Sequence, residues 1–414
     1  MTKTTFSRFI KSSAVLFCFL FLLWGCSQEQ TIEFSIENSE NESIEVPVFV
    51  ETAILEGKNI EQFVLFQNET VVDFQVEGDK IWFLHHPKKG NTYSFKAKDK
   101  EQVVSNNFSV SKENGSLQLK SNEKALISYR YEMTYPPAGV DSIFKKSGYI
   151  HPILTPKGDT LTRIQPDDHY HHYGLWGPWT HTRIDTTRVD FWNLGDGMGT
   201  VLFKDFKSTE SGAIFSSFVA AQEHLDFKTQ DEPQVALNED LQVRLWDLGR
   251  DDRYMFDYVT TFNSPLENGI LFEQYRYGGG LGLRFNERWK ADNCSVLTSE
   301  GNDRLTADGT NARWCIVSGE SSDGKGTNGI LFMSHPKNRM HPEPMRIWPI
   351  DGNGGRGDMF FEFCPIRHEE WKIEPDKTYD LNYRMVVFDG KLDANEAEAY
   401  WQAFAISPTT KLIK

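Results

Sequence analysis

The sequence predicts an all-β protein: a large antiparallel β-sandwich preceded by a small β module. Short apolar or alternating runs recur along its 414 residues, punctuated by Gly, Pro, Asn and Asp. Such period-two patterning buries one face of each strand and belongs to antiparallel sheets. Only Asp393 to Phe404 carries helix signals. Thirty phenylalanines and eleven tryptophans supply the bulk for a wide core, and the length exceeds one typical domain.

From the N-terminus, Lys3, Arg8 and Lys11 precede an apolar run from Ala14 to Trp24 and then Gly25-Cys26. The run is too short for a membrane span and fits a signal peptide, residues 1–25. Leu23-Trp24-Gly25-Cys26 resembles a bacterial lipobox, so Cys26 is the expected lipidation site. Plain cleavage with Cys26 incidental is the alternative. Either way the protein leaves the cytoplasm; with Cys26 lipidated, its expected place is the bacterial cell envelope, periplasmic or at the cell surface, touching membrane through the lipid anchor only.

Residues 26–45, rich in glutamate, read as an acidic tether. Residues 46–120 read as the small module; they include Ile81-Trp82-Phe83-Leu84 and end near the polar stretch Ser111 to Ser116. Residues 125–405 read as the main sandwich, with strands such as Leu241 to Trp246, Tyr258 to Phe262, Ile330 to Met333 and Tyr383 to Phe388. The closing helix has Asp393 as N-cap and Glu396 three residues on, a capping-box pattern.

The net charge is −15, and removal of residues 1–25, with three cations and no acid, leaves −18. A surface that acidic repels phosphate backbones, so nucleic acid is not an expected partner. An anionic substrate would need a local basic pocket. Cys294, Cys315 and Cys364 are widely spaced and read as buried apolar residues rather than a disulfide framework.

The chemistry concentrates in residues 167–181, where His169, His171, His172 and His181 fall between carboxylates, glycines and aromatics. Histidine is both the ordinary proton shuttle and a common metal ligand. In an extended segment His169 and His171 share one face, with Asp167 on the same parity, and His172 takes the other. Three readings stay open. A neutral histidine oriented by Asp167 or Asp168 could act as a base. His169 and His171 could hold calcium or zinc with a third ligand from His181, His335, His341 or Glu273. Or the histidines could cap a polar loop. The interleaved Trp176 and Trp179 offer flat rings to sugar faces.

Two further constellations follow. Glu273 to Gly280 alternates Glu273, Tyr275 and Tyr277 against Gln274 and Arg276, leads to Arg284, and ends in three glycines that would let a substrate approach the backbone. A guanidinium fork binds a carboxylate bidentately. Ser334 to Pro342 gathers His335, Lys337, Arg339 and His341, a basic stretch in an acidic chain. Trp348 to Phe360, with Arg356, reads as a connector or a binding loop.

Gly148-Tyr149-Ile150-His151-Pro152, Asp168 to Trp176, Val189-Asp190-Phe191-Trp192, Tyr277-Gly278-Gly279, His335-Pro336 and Tyr383 to Gly390 together resemble the bacterial family labelled "methane oxygenase PmoA-like", over roughly residues 125–405. The oxygenase label itself does not fit, since such a subunit needs transmembrane helices. The resemblance implies a secreted protein of polysaccharide-degrading bacteria, with a fold similar to the galactose-mutarotase and polysaccharide-lyase sandwiches.

The expected function is a lyase or dehydratase acting by β-elimination on uronate-containing oligosaccharides. His171 or His172 would be the base and Tyr275 or His335 the acid. Arg276, Arg284 and Arg339 would hold the carboxylate, and Trp176 and Trp179 the sugar. A glycoside hydrolase or epimerase using Glu273, Asp190 or Glu343 is one alternative. A non-catalytic glycan-binding lipoprotein is another.

Overall fold

The computed structural model describes residues 1–2, 31–37, 44–98, 107–246, 248–406 and 408–413. The expected signal peptide, Cys26 and much of the tether lie outside them. Among the described residues no helix is long and apolar enough to cross a membrane.

Two large antiparallel sheets dominate. Eight strands form one, from Gly199–Glu210 at one edge to Cys294–Thr298 at the other. Its long strands Phe215–Asp226, Gln234–Trp246, Arg253–Asn263 and Thr378–Asp389 pair in sequence. Nine strands form the second, from Asn311–Ala312 to Phe108–Glu113. Between them lies the largest core, where Val243, Tyr258 and Phe332 of the first sheet meet Ile127, Leu283 and Phe361 of the second.

The eight-stranded sheet has a second buried face. Ile330 and Phe332 point into the sandwich, whereas Leu331 and Met333 join Val48, Phe83 and Tyr93 of the N-terminal module in another core. Val387 and Phe388 divide the same way. Burial on both faces explains why these stretches read as continuous apolar runs rather than alternating ones. Each such side chain contributes roughly 1.5–3 kcal/mol when fully buried.

The module is a five-stranded sheet and a three-stranded one, the latter of Val46–Glu51, Lys80–His85 and Phe74–Glu77. Its limits differ from those the sequence predicts. Phe108–Glu113 and Ser116–Ser121 pair beside Lys124–Arg130 in the nine-stranded sheet, because Leu117 and Leu119 face the main core. The boundary at residue 120 therefore moves N-terminal of Phe108. Part of the expected tether, Thr31–Glu37, is a strand that buries Phe34 and Ile36. It pairs with Thr409–Leu412, beyond the expected end at 405.

The helix runs Ala394–Ala405, and the Asp393 side chain accepts the Glu396 N–H at 2.9 Å. Only that half of the capping box forms, since the Glu396 carboxylate turns to Arg253 and Arg250. The three body cysteines are buried and unpaired.

Candidate functional site

Ile150 pairs with Leu175, and Leu175 with Leu283, so the chain between them leaves the sheet end as a loop. The loop folds back on itself: His172 N–H donates to the His169 carbonyl and Gln165 N–H to the His172 carbonyl. The segment is thus a turn, not an extended strand. The alternation expected for His169, His171 and His172 fails, and all three rings meet. Ring centroids lie 5.5 Å apart for His169–His171 and 4.7 Å for both His169–His172 and His171–His172. Gly174 closes the turn at φ +61°, where a Cβ would stand 2.2 Å from the Ile150 carbonyl oxygen.

Aromatic rings wall the cluster. Trp348 lies 5.0 Å from His169, Trp192 6.1 Å from His171, and Trp176, Trp192, Trp348 and Phe360 surround His172. His172 is 1 % exposed, and burial keeps it neutral, so it is a poor proton acceptor for anything outside. His171 is half-buried. Burial, and after it the neighbouring His169, lowers its pKa to about 4. It is a neutral, partly accessible imidazole at neutral pH.

Cations crowd the same corner. Arg284 lies 4.5 Å over the Trp348 ring and 3.5 Å from Asp358, and its Nε and Nη1 are buried without a hydrogen-bond partner. Burial, the largest effect, lowers its pKa to about 10. Lys290 and Arg356 also pair with Asp358, and Arg304 bonds the Asp358 carbonyl. Arg356 reaches Asp168, which lies 3.2 Å from His169 Nδ1. Burial opposes the Asp168 charge, but Arg356 and His169 outweigh it and hold the carboxyl at about 2. Arg284, Lys290, Arg304 and Arg356 thus converge on Asp358 beside the histidine turn.

Other expected site residues stand elsewhere. The Tyr275 ring is stacked on His181 at 3.6 Å, and Tyr277, two residues on, joins the wall 5.2 Å from Trp192, its hydroxyl accepting from Arg346 at 2.9 Å. Arg276 is exposed, 5.3 Å over Tyr277. The glycines admit other strands rather than a substrate: a Cβ on Gly279 would stand 2.0 Å from the Phe363 carbonyl oxygen, and Gly278 N–H donates to Glu362 at 2.6 Å. His335 packs on Phe404 and His341 parallel to Trp401, both on the C-terminal helix. Arg339 is held by Trp371 and the Glu370 carbonyl. None of these is brought to His171 by a hydrogen bond or ring contact among the described residues, so His335 as acid and Arg339 as clamp are not supported. Trp179 is buried against Phe272 and Trp176 behind His172; both are core rather than open platforms.

The hydrolase alternative lacks its pair. Asp190 is fully buried and accepts from Thr180, Trp192, Asn193 and Arg188. Glu273 is paired with Arg183, and Glu343 is enclosed by Ser334, Asn338 and Tyr383. For the metal alternative, no group of three or more His, Cys, Asp or Glu side chains among the described residues is placed to hold an ion. Among those residues His169 and His171 find no third donor for calcium or zinc.

Trp192, Trp348, Tyr277 and Asp358 were missed as site residues. Trp192 stands in a motif already noted, and a loop carrying Trp348 and Arg356 was the remaining signal.

A family model, described as "Family of unknown function (DUF6807)", matches residues 116–402. It replaces the PmoA-like resemblance, which the match does not bear out. No curated protein matches the sequence. Among solved structures, the heparan sulfate lyase HepC from Pedobacter heparinus is 10 % identical with a TM-score of 0.30, over 72 % of this chain. The chain spans 38 % of that lyase's length. A galactose mutarotase related enzyme from Lactobacillus acidophilus is 9 % identical with a TM-score of 0.31, covering 69 % of this chain and 100 % of its own. Likeness at that level carries no argument about chemistry.

Proposed function

The chain belongs to that family of unknown function, and from its own site we propose an enzyme that removes the proton beside the carboxylate of a uronate sugar, with His171 as base. The observation that carries this is a neutral, half-buried imidazole set among rings and backed by Arg284, Lys290, Arg304 and Arg356. A base with a pKa of about 4 is weak in the empty site. A bound carboxylate would raise it, because an opposite charge nearby favours the imidazolium.

The step is a β-elimination. His171 takes the proton, and its electron pair forms a carbon–carbon double bond. The bond to the oxygen one carbon further breaks, and that oxygen takes a proton from water. The imidazolium proton then passes to the hydroxide that this leaves, which restores neutral His171. Arg356, about half exposed, is the cation open to the carboxylate, and Arg284 adds its charge from behind Trp348.

Oligouronates incubated with the protein should give a conjugated-alkene absorbance that His171→Ala abolishes while keeping sugar affinity. An unchanged rate in the variant, or no alkene from pectic, alginate or heparin oligosaccharides, sinks the proposal. Binding without turnover in the native protein returns the glycan-binding alternative. Export and lipidation at Cys26 belong to the same proposal, resting on the lipobox-like run. Lipid-mass analysis of the N-terminal peptide tests them, and an unmodified Cys26 rejects the anchor.

A further inference from the structure

The aromatic wall does not stop at His171. From Trp192, 6.1 Å from His171, it passes to Tyr277 at 5.2 Å and to Tyr275 at 5.9 Å. It ends on His181, whose ring lies 3.6 Å from Tyr275 with 5° between the planes. Tyr277, Tyr275 and His181 are all half-buried, whereas Trp192, 5 % exposed, belongs to the core behind them. The ladder that pairs Thr182 with Phe272 sets His181 and Tyr275 side by side just past its end.

His181 adopts φ +48°, a left-handed backbone that favours glycine. Such backbone strain in a non-glycine residue concentrates at working sites. Cations border the strip: Arg188, 40 % exposed and with a buried Nε lacking a partner, Arg276 over Tyr277, and Arg346 bonded to Tyr277. The carboxylates there are already engaged, Asp308 by Arg346 and Arg367 and Glu273 by Arg183.

We infer that Tyr277, Tyr275 and His181 line a floor beside the His171 site for an anionic oligosaccharide, with the stacked His181–Tyr275 pair as its distal subsite. The 5.9 Å step from Tyr277 to Tyr275 is close to the length of one pyranose, whose apolar C–H face lies flat on an aromatic ring while its edge carboxylate meets a guanidinium. The inference rests on the proposed uronate chemistry at His171 and extends it to substrates longer than a disaccharide.

Calorimetric titration with pectic, alginate and heparin oligosaccharides of increasing length tests it. Affinity should rise about three- to tenfold when the chain becomes long enough to reach the distal pair, the worth of one aromatic contact. Tyr275→Ala should erase that gain and Tyr275→Phe, which keeps the ring, should retain it. His181→Gly suits the left-handed backbone and should erase it without refolding the turn. A gain that survives Tyr275→Ala and His181→Gly, no dependence on length, or no binding of any of the three overturns the floor. Length-dependent binding without alkene formation keeps the floor and rejects the elimination; alkene formation without length dependence does the reverse.

Discussion

At the scale of single residues, the site is a contest between burial and charge. His171 loses its proton to burial and to its imidazole neighbour, so it should titrate near pH 4 rather than near 6.5. The sign follows directly: the base form is present above about 4 and disappears as the pH falls through it. Ring-proton NMR of the free protein checks the value. Adding a uronate oligosaccharide should move the titration upward, since the carboxylate favours the imidazolium. A midpoint of 6.5 in the free protein, or no movement on binding, contradicts the role given to His171. The histidine cluster itself was plain in the sequence. Which of its members stays accessible was not, because the turn that buries His172 and leaves His171 at the rim has no periodic signature.

At the scale of elements, close approaches decide which substitutions the fold tolerates. Gly174 joins the histidine loop to its strand at a positive φ and against the Ile150 carbonyl. Gly174→Ala should lower stability by about 2 kcal/mol or more and displace His172, read by denaturant melts and by loss of sugar binding. An alanine variant of native stability would show that the loop gives way. Glu343, on the strand Glu343–Ile347, is fully buried, and burial pushes its carboxyl up to about 7. Its folded pKa exceeds the unfolded one, so the stability it contributes is present below about 4.5 and is lost as the pH rises through 7. Glu343→Gln removes that loss. Relative to the native protein, the variant should gain on the order of 3 kcal/mol between pH 4.5 and 8. A stability difference independent of pH refutes the shift. Here the sequence was legible in its strands: Ile330 to Met333 and Tyr383 to Phe388 are strands as expected. Thr31–Glu37 escaped because its glutamates hid an alternation of Ile32, Phe34 and Ile36.

At the scale of the whole molecule, three layers share two cores. The module packs Val48, Phe83 and Tyr93 against Trp246, Met333 and Phe388, and Arg244 lies over Trp82 and Phe215 while pairing with Glu77. The module is thus the cover of the outer face of the eight-stranded sheet. A chain beginning at Asn107 should expose that face, lose several kcal/mol and self-associate. Light scattering and melting curves read this, and a monodisperse truncated protein with native melting would show the layers to be independent.

The sequence by itself determined what is local: strand periodicity, the aromatic core, the Asp393 cap and the existence of a histidine-rich loop. Each depends on residues within a few positions of one another, where pattern reports burial directly. The tertiary structure alone decided which distant groups meet. Arg356 joins Asp168 across 188 residues, and Tyr277 rather than Tyr275 faces Trp192. It also separated His335 and Arg339 from the cluster they seemed to match. Those meetings depend on how two sheets stack and where their connecting loops return, and no periodicity in the chain records that.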